Sequence, residues 1–381
     1  MIQGQYKLIG EPQIPIVGSS GHHISFSDGQ YYDCHAGRSC NCLGHNVPKL
    51  NAIRALPTTC DWDFEGPFWK PFVEKIQQLI GDQYDIIIPL LTGTDAVDTA
   101  IKLAWECNPN GKILTRRGTY HSGSISGWHQ ADGSKIITDK WVPYNYSSYV
   151  EDYYDPEEVN KRLKGDRYAA LLVDSVGWFN GIRYNEPAYW QTVAQHAKNN
   201  NALLIADEVL TGMGKMGTWS HFRSMGIEPD MIVFGKALTA GHENLAIVCV
   251  HKDVTKKLQG RWLAAGNTRS FNETGAAVSL AAIDMIEQQL PNVNEVVIPF
   301  LQSFAEEMED LKISTAGTMM NFKMSPEANE KFNHLMRARG YWHNYSYPYF
   351  HIFYNTDTER LNDIRRQIVN VIGELKNANL V

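Results

Sequence analysis

Between residues 84 and 250 the chain alternates short apolar runs with longer stretches of helical spacing. Asp85–Leu91, Lys112–Thr115, Tyr168–Val173, Leu203–Ala206, Met231–Phe234 and Leu245–Val250 are too short for helices and too apolar for one-sided strands. They read as strands covered on both faces. Between them, Ala100, Ile101, Leu103 and Ala104, the stretch Tyr189–Asn199 and the stretch Lys252–Gln259 carry the helical period. Strand and helix in alternation predict an α/β domain built on a mainly parallel sheet. On either side the pattern changes. Residues 24–34 place strand residues around Asp28-Gly29, a hairpin turn pair. Ala276–Ile286 predicts a long helix, and residues 295–381 a separate α+β tail that ends in helical periodicity over Glu359–Leu375. Residues 123–167 are polar and aromatic without a clear period.

The stretch from Leu203 to Gly241 organises the rest. Its first apolar run ends in Asp207-Glu208 and its second in Gly235-Lys236. In an open α/β sheet, ligands bind at the carboxyl ends of strands, so this acid and this lysine should meet at one edge. Desolvation disfavours a charged lysine there. The placement makes sense if the amine forms a Schiff base with a carbonyl cofactor, and pyridoxal phosphate also takes a carboxylate at its pyridinium nitrogen. Upstream, Thr92-Gly93-Thr94-Asp95 lies between a strand and a helix. Gly93 permits close approach and Thr94 sits among free N–H groups, a ready phosphate site.

These residues resemble the signature of class III pyridoxal-phosphate aminotransferases, including the glutamate-1-semialdehyde aminomutase-like branch, most closely over 203–241 and more loosely over 24–286. The resemblance implies a fold-type-I transferase. The N-terminal segment (1–50) and C-terminal segment (291–381) would form a small domain, and residues 51–290 the large cofactor-binding domain. By resemblance Lys236 holds the cofactor as an aldimine and moves the proton, and Asp207 keeps the ring nitrogen protonated. Tyr120, in Thr119-Tyr120-His121, stacks on the ring, and Val209 packs on its other face. Gly93 and Thr94 hold the phosphate. Thr268, in Gly266-Asn267-Thr268-Arg269-Ser270, reaches the phosphate of a neighbouring subunit, which implies a homodimer with shared sites. His45, in Gly44-His45-Asn46-Val47-Pro48, reads as a structural residue of its turn.

Departures from the family pattern bear on the substrate. Leu210 stands where many members carry Gln, Asp95 replaces Glu, and Asp174-Ser175-Val176 only partly matches Glu-Pro-Val. No C-terminal arginine for a substrate carboxylate matches within Tyr345–Thr358. Arg38 and Arg269 are the candidate substitutes, since either could hold a carboxylate or phosphate bidentately. Trp62, Trp69 and Trp128 add to the expectation of an unusual substrate.

The remaining composition narrows the class. A net charge of −7 with scattered basic residues gives no reason to expect nucleic acid or a membrane surface as partner. No apolar stretch approaches the roughly 18 residues of a membrane span, and the N-terminus has no signal-peptide organisation. Six cysteines lack metal spacing, so no metal site is expected, and they fit reduced thiols in the cytoplasm. The sequence therefore predicts an aminotransferase moving an amino group between an amine or amino acid and a carbonyl substrate. The alternatives are an aminomutase that returns the amine to the same substrate and a cofactor-binding relative without turnover.

Overall fold

The computed structural model describes residues 15–55, 66–116, 119–123, 147–150, 155–177, 181–261, 265–343 and 349–381. The six apolar runs all form strands, and Ser147–Val150 joins them in a seven-stranded sheet. Its order is Ile86–Leu90, Ala246–Val250, Met231–Phe234, Leu203–Asp207, Tyr168–Val173, Lys112–Arg116, Ser147–Val150. Tyr168–Val173, Leu203–Asp207, Met231–Phe234 and Ala246–Val250 are buried at every position. That double-sided burial is why polar residues do not alternate along them. One apolar layer, with Phe72, Ile76, Trp190 and Ile283, covers one face. The other face packs against the Gly93–Cys107 helix through Val97, Ala100 and Ile101.

Register brings the chemistry to one edge. Leu203–Asp207 runs parallel to Met231–Phe234, with Asp207 opposite Val233, and parallel to Tyr168–Val173 on its other side. The carboxyl ends of these strands, carrying Asp207, Gly235-Lys236 and Asp174, therefore open together. Ala246–Val250 is antiparallel to both of its neighbours, so the sheet is mainly, not wholly, parallel.

Several boundaries move. The long helix spans Glu273–Asn292, beginning at an Asn272 cap whose side chain accepts from Gly275 N–H, and it continues past Pro291 into a π turn. The hairpin's two-residue loop is Ser27-Asp28, because Phe26 pairs with Gly29, which begins the returning strand. A further strand, Ile16–Ser20, precedes it. Trp69 does not face a substrate. It is buried against Phe72 and Phe271, with ring centroids 5.3 and 5.5 Å away. Trp62 and Trp128 lie outside the described residues.

A second core joins the two ends of the chain: Tyr32, Cys34 and Ala36 pack with Leu301, Phe304, Phe350, Leu361 and Ile368. The Gly29–Asp33 strand pairs in parallel with Tyr341–Trp342. Just beyond it, Ala36, Gly37, Arg38 and Ser39 adopt φ of 44°, 58°, 57° and 67°, a left-handed turn in which three residues carry a Cβ. Each such residue costs about 1–2 kcal/mol. Asp33 holds the turn, its carboxylate accepting the N–H of His35 at 2.8 Å and of Gly37 at 2.7 Å. His45 Nε2 stands 2.9 Å from the same carboxylate, a structural contact that ties the downstream turn to this one.

Candidate active site

A cavity of about 330 Å³ opens at the strand ends. Its walls include Gly93, Thr94, Tyr120, Asp207, Val209 and Lys236, so six residues expected at the site line a single space. Each is put there by its element. Gly93 and Thr94 form the first turn of a helix capped by Thr92, whose hydroxyl accepts from Asp95 N–H at 3.2 Å. Gly93 leaves Val209 its place, because a Cβ there would stand 2.9 Å from Val209 Cγ1 and 3.0 Å from Cγ2 and would require that side chain to shift. Val209 thus reaches the cavity only because Gly93 leaves it room. Gly123 N–H donates to Thr94 Oγ1 at 3.3 Å, drawing the segment after Tyr120 toward that helix start.

Asp207 is buried, with 5% exposure. Its Oδ2 lies 2.8 Å from His121 Nδ1 and its Oδ1 accepts Val209 N–H at 3.1 Å. An ionised carboxylate only accepts, so the imidazole donates from Nδ1. His121 Nε2 is in turn 3.1 Å from the hydroxyls of both Thr115 and Thr119. His121 is the main site residue that sequence reasoning missed. Its adjacency to Tyr120 was visible, but nothing in the sequence said that it would turn back onto Asp207.

Lys236 opens a 3-10 turn directly after the Met231–Phe234 strand, with φ of 43°. Burial pushes its amine below the ordinary lysine range, partly offset by Cys40, Asp207 and Asp174. Asp174 also lines the cavity and is buried, and burial raises its carboxyl above the usual range. Arg116 stands 3.5 Å from Asp174 Oδ1, donates to Asp174 O at 3.0 Å and to Asn185 Oδ1 at 2.8 Å, and lies 4.5 Å over the Trp190 ring. Cys40, which follows the left-handed turn, forms another part of the wall, and Leu210 occupies its own place there.

Three expected residues are not brought to this cavity. Thr268 and Arg269 are exposed on the segment before the Asn272 cap, and Arg38 is exposed on the left-handed turn. None of them lines the space that this single chain encloses.

The donor set fits pyridoxal phosphate on structural grounds. A helix N-terminus that opens on a glycine packed against Val209, a carboxylate fixed by an imidazole and a desolvated amine all face one cavity. Among the described residues no cluster of side chains has the makings of a metal site.

Comparison with known proteins agrees with this arrangement. A family model described as "Aminotransferase class-III" matches residues 9–363. Ornithine aminotransferase of Plasmodium falciparum (isolate CDC / Honduras) is 28% identical over 318 residues, covering 79% of this chain and 75% of the relative. Ornithine aminotransferase of Halalkalibacterium halodurans is 27% identical over 301 residues, covering 72% of each chain. Among solved structures, ornithine aminotransferase from Toxoplasma gondii superposes with a TM-score of 0.86 at 19% identity, covering 99% of this chain and 93% of that one. A transaminase from the marine bacterium Virgibacillus gives 0.87 at 17% identity, covering 96% and 94%. These structural likenesses bear out the fold-type-I architecture. The chain belongs to the class III aminotransferases, a family of pyridoxal-phosphate-dependent enzymes.

Proposed function

We propose that this aminotransferase binds pyridoxal 5'-phosphate in the cavity at the strand ends, with Lys236 as the covalent anchor and proton carrier. The observation that carries the reading is the convergence of Asp207, fixed by His121, and a desolvated Lys236 on one space. When bound, the cofactor supplies an electron sink for the substrate's α-carbon. Asp207 would take the ring nitrogen, Tyr120 and Val209 the two ring faces, and Gly93-Thr94 with their helix N-terminus the phosphate. The unprotonated Lys236 amine takes a proton from the substrate carbon as general base and returns it as general acid.

The substrates are an amine or amino acid as donor and a carbonyl compound as acceptor. The named relatives make ornithine the first donor to try, with keto acids as acceptors. Leu210 in the cavity wall and the absence of a matching C-terminal arginine argue for a substrate range of its own. The exposed segment carrying Thr268 and Arg269 suits a homodimer in which each chain completes the other's site, and exposed Arg38 remains a candidate for an anionic substrate group. The reading keeps a large domain over 51–290 and a small domain from 1–50 and 291–381; the second core is drawn wholly from the two terminal segments, while Cys42, Leu43, Leu50, Val293 and Tyr354 from those segments pack into the first. Among the described residues no helix is long and apolar enough to cross a membrane, which fits the cytoplasmic location proposed for the enzyme.

The test is a visible absorbance spectrum of the purified protein with cofactor, recorded before and after adding a panel of amines. A band that is missing in Lys236→Ala, bleaches with one donor and returns with a keto acid supports transamination. Return of the band without any keto acid would move the reaction to an aminomutase. No band in the wild type would overturn the reading.

A further inference from the structure

The turn from Lys236 to Asn244 builds one side of the cavity, with Lys236, Thr239, Gly241, Glu243 and Asn244 all in its wall. Its backbone is strained. Lys236 and Ala240 adopt left-handed φ of 43° and 48°, which crowds a Cβ against the following carbonyl. Bonds within the turn close it: Leu238 N–H to Gly235 O and Ala240 N–H to Ala237 O at 2.9 Å, and His242 N–H to Thr239 O at 3.0 Å. Strain of this kind persists where the surrounding structure holds it. What grips this turn from outside therefore bears on where Lys236 sits.

The grip comes from one stretch of the chain, residues 41–54. Asn41 packs on Gly241, where a Cβ would stand 2.8 Å from its Cγ and Nδ2. Arg54 Nε donates to Glu243 Oε2 at 3.4 Å, a contact open to solvent and so a weak one. The central link is His242, which is buried with 6% exposure. Its Nδ1 lies 2.8 Å from Ala240 O, and its Nε2 accepts Val47 N–H at 2.9 Å. A carbonyl only accepts and an amide N–H only donates, so the two bonds together demand the neutral imidazole with its proton on Nδ1. Burial favours that neutral form and pushes the imidazole below the ordinary histidine range. One ring thus joins the carbonyl of strained Ala240 to the residue that caps the Pro48–Arg54 helix.

On the reading of Lys236 as the reacting amine, on which this inference rests, we propose that His242 is a positioning residue. By tying Ala240 to Val47 it keeps the turn in its left-handed form, and so fixes the point from which the Lys236 amine reaches into the cavity. Every link between the two residues is a bond. His242 Nδ1 donates to Ala240 O, Ala240 N–H donates to Ala237 O, and Ala237 follows Lys236 in the chain. His242 itself is not part of the cavity wall, so its effect passes through the turn and not through contact with substrate. A general base must stand within hydrogen-bond reach of the proton that it takes, and a misplacement of about 1 Å can slow a reaction on the order of 10²-fold. A turn that relaxes by part of that distance is enough to slow proton transfer.

Residue-resolved amide hydrogen exchange on the full-length, cofactor-free chain tests the grip. In His242→Leu the amides of Val47, Leu238 and Ala240 should exchange roughly tenfold faster, measured against those of the buried Met231–Phe234 strand. In His242→Gln, which keeps an acceptor for Val47 N–H, most of the protection should remain. A histidine with a merely structural role would lower thermal stability and speed turn and strand together, and that outcome overturns the proposal. Equal loss in His242→Gln and His242→Leu overturns it too, because ring bulk and not the bonds would then hold the turn. Should His242→Leu fail to fold, a wild-type Val47 amide that exchanges as freely as an unbonded one has the same force. With cofactor bound, His242→Leu should lower kcat roughly tenfold with the donor's KM little changed, and an unchanged kcat in a variant whose turn has loosened also overturns the proposal. Because the exchange readout needs no cofactor, failure of the transamination reading would show separately, as a missing absorbance band in the wild type.

Discussion

Asp207 and Glu208 are consecutive acids at one strand end, and they face opposite sides of the sheet. Asp207 faces the cavity, where its partners are His121 and one backbone N–H. Glu208 faces away. Its Oε1 accepts from the Ser220 hydroxyl at 2.6 Å and Phe222 N–H at 3.0 Å, and its Oε2 accepts His221 N–H at 2.7 Å. It thereby satisfies the free N–H groups at the start of the short His221–Ser224 helix. Both acids are buried. The difference lies in what remains open: every close donor around Glu208 belongs to the fold, whereas Asp207 keeps an edge toward a cavity. Pleat direction alone separates an acid available for chemistry from one spent on structure.

The comparison can be broken at several points. The largest expected effect is Asp207→Asn, which should lower kcat/KM on the order of 10²–10⁴-fold with thermal stability little changed. Wild-type turnover in that variant would end the assignment of Asp207 to chemistry. Glu208→Ala should do the reverse. It strands three donors and should cost about 3 kcal/mol in urea denaturation, while the folded fraction keeps its cofactor band. His121→Phe tests the link between Asp207 and its support. Losing one hydrogen bond to a charged group should reduce kcat/KM roughly tenfold, with a smaller change if the imidazole is only packing. The smallest effect is on pH dependence. Burial raises the Glu208 carboxyl from 4.5 to about 7, against the pull of its three hydrogen bonds. Between those values the folded state holds a proton that the unfolded state has lost, so this group makes stability fall as pH rises through that window. Denaturation at a series of pH values should show the slope in the wild type and its loss in Glu208→Gln.

Much of this was legible in the sequence because doubly covered strands leave uninterrupted apolar runs, and the residues ending those runs are the site. Asp207, Lys236 and Gly93 could be placed for that reason, and Tyr120 by the resemblance of its motif to the family's. The ends of the helix predicted over Ala276–Ile286 could not, since Thr274-Gly275 and Pro291 read as boundaries. Burial of Glu273 and continuation into a π turn override those local signals. Trp69 illustrates a different limit, because an aromatic near a site has the same one-letter signature whether it faces a ligand or the core. Lys215 is the hardest case. A lysine in a glycine-bracketed turn reads as surface, and only the tertiary packing of Gly317 and Tyr354 over it removes it from water. Thr268, Arg269 and Arg38 stand outside the single-chain cavity, where sequence gives a motif but one chain gives no pocket.

The left-handed turn after Asp33 has a consequence for how the cavity wall is kept in place. Three of its residues sit in the disfavoured left-handed region, and the turn is held by its backbone hydrogen bonds, Ser39 N–H to His35 O and Asn41 N–H to Ala36 O, together with one carboxylate. The wall carrying Cys40 is therefore a spring with Asp33 as its side-chain latch. Glycine at Arg38 or Ser39 would slacken the spring, whereas Asp33→Asn would release the latch. Amide exchange at His35 and Gly37 would show which has given way first.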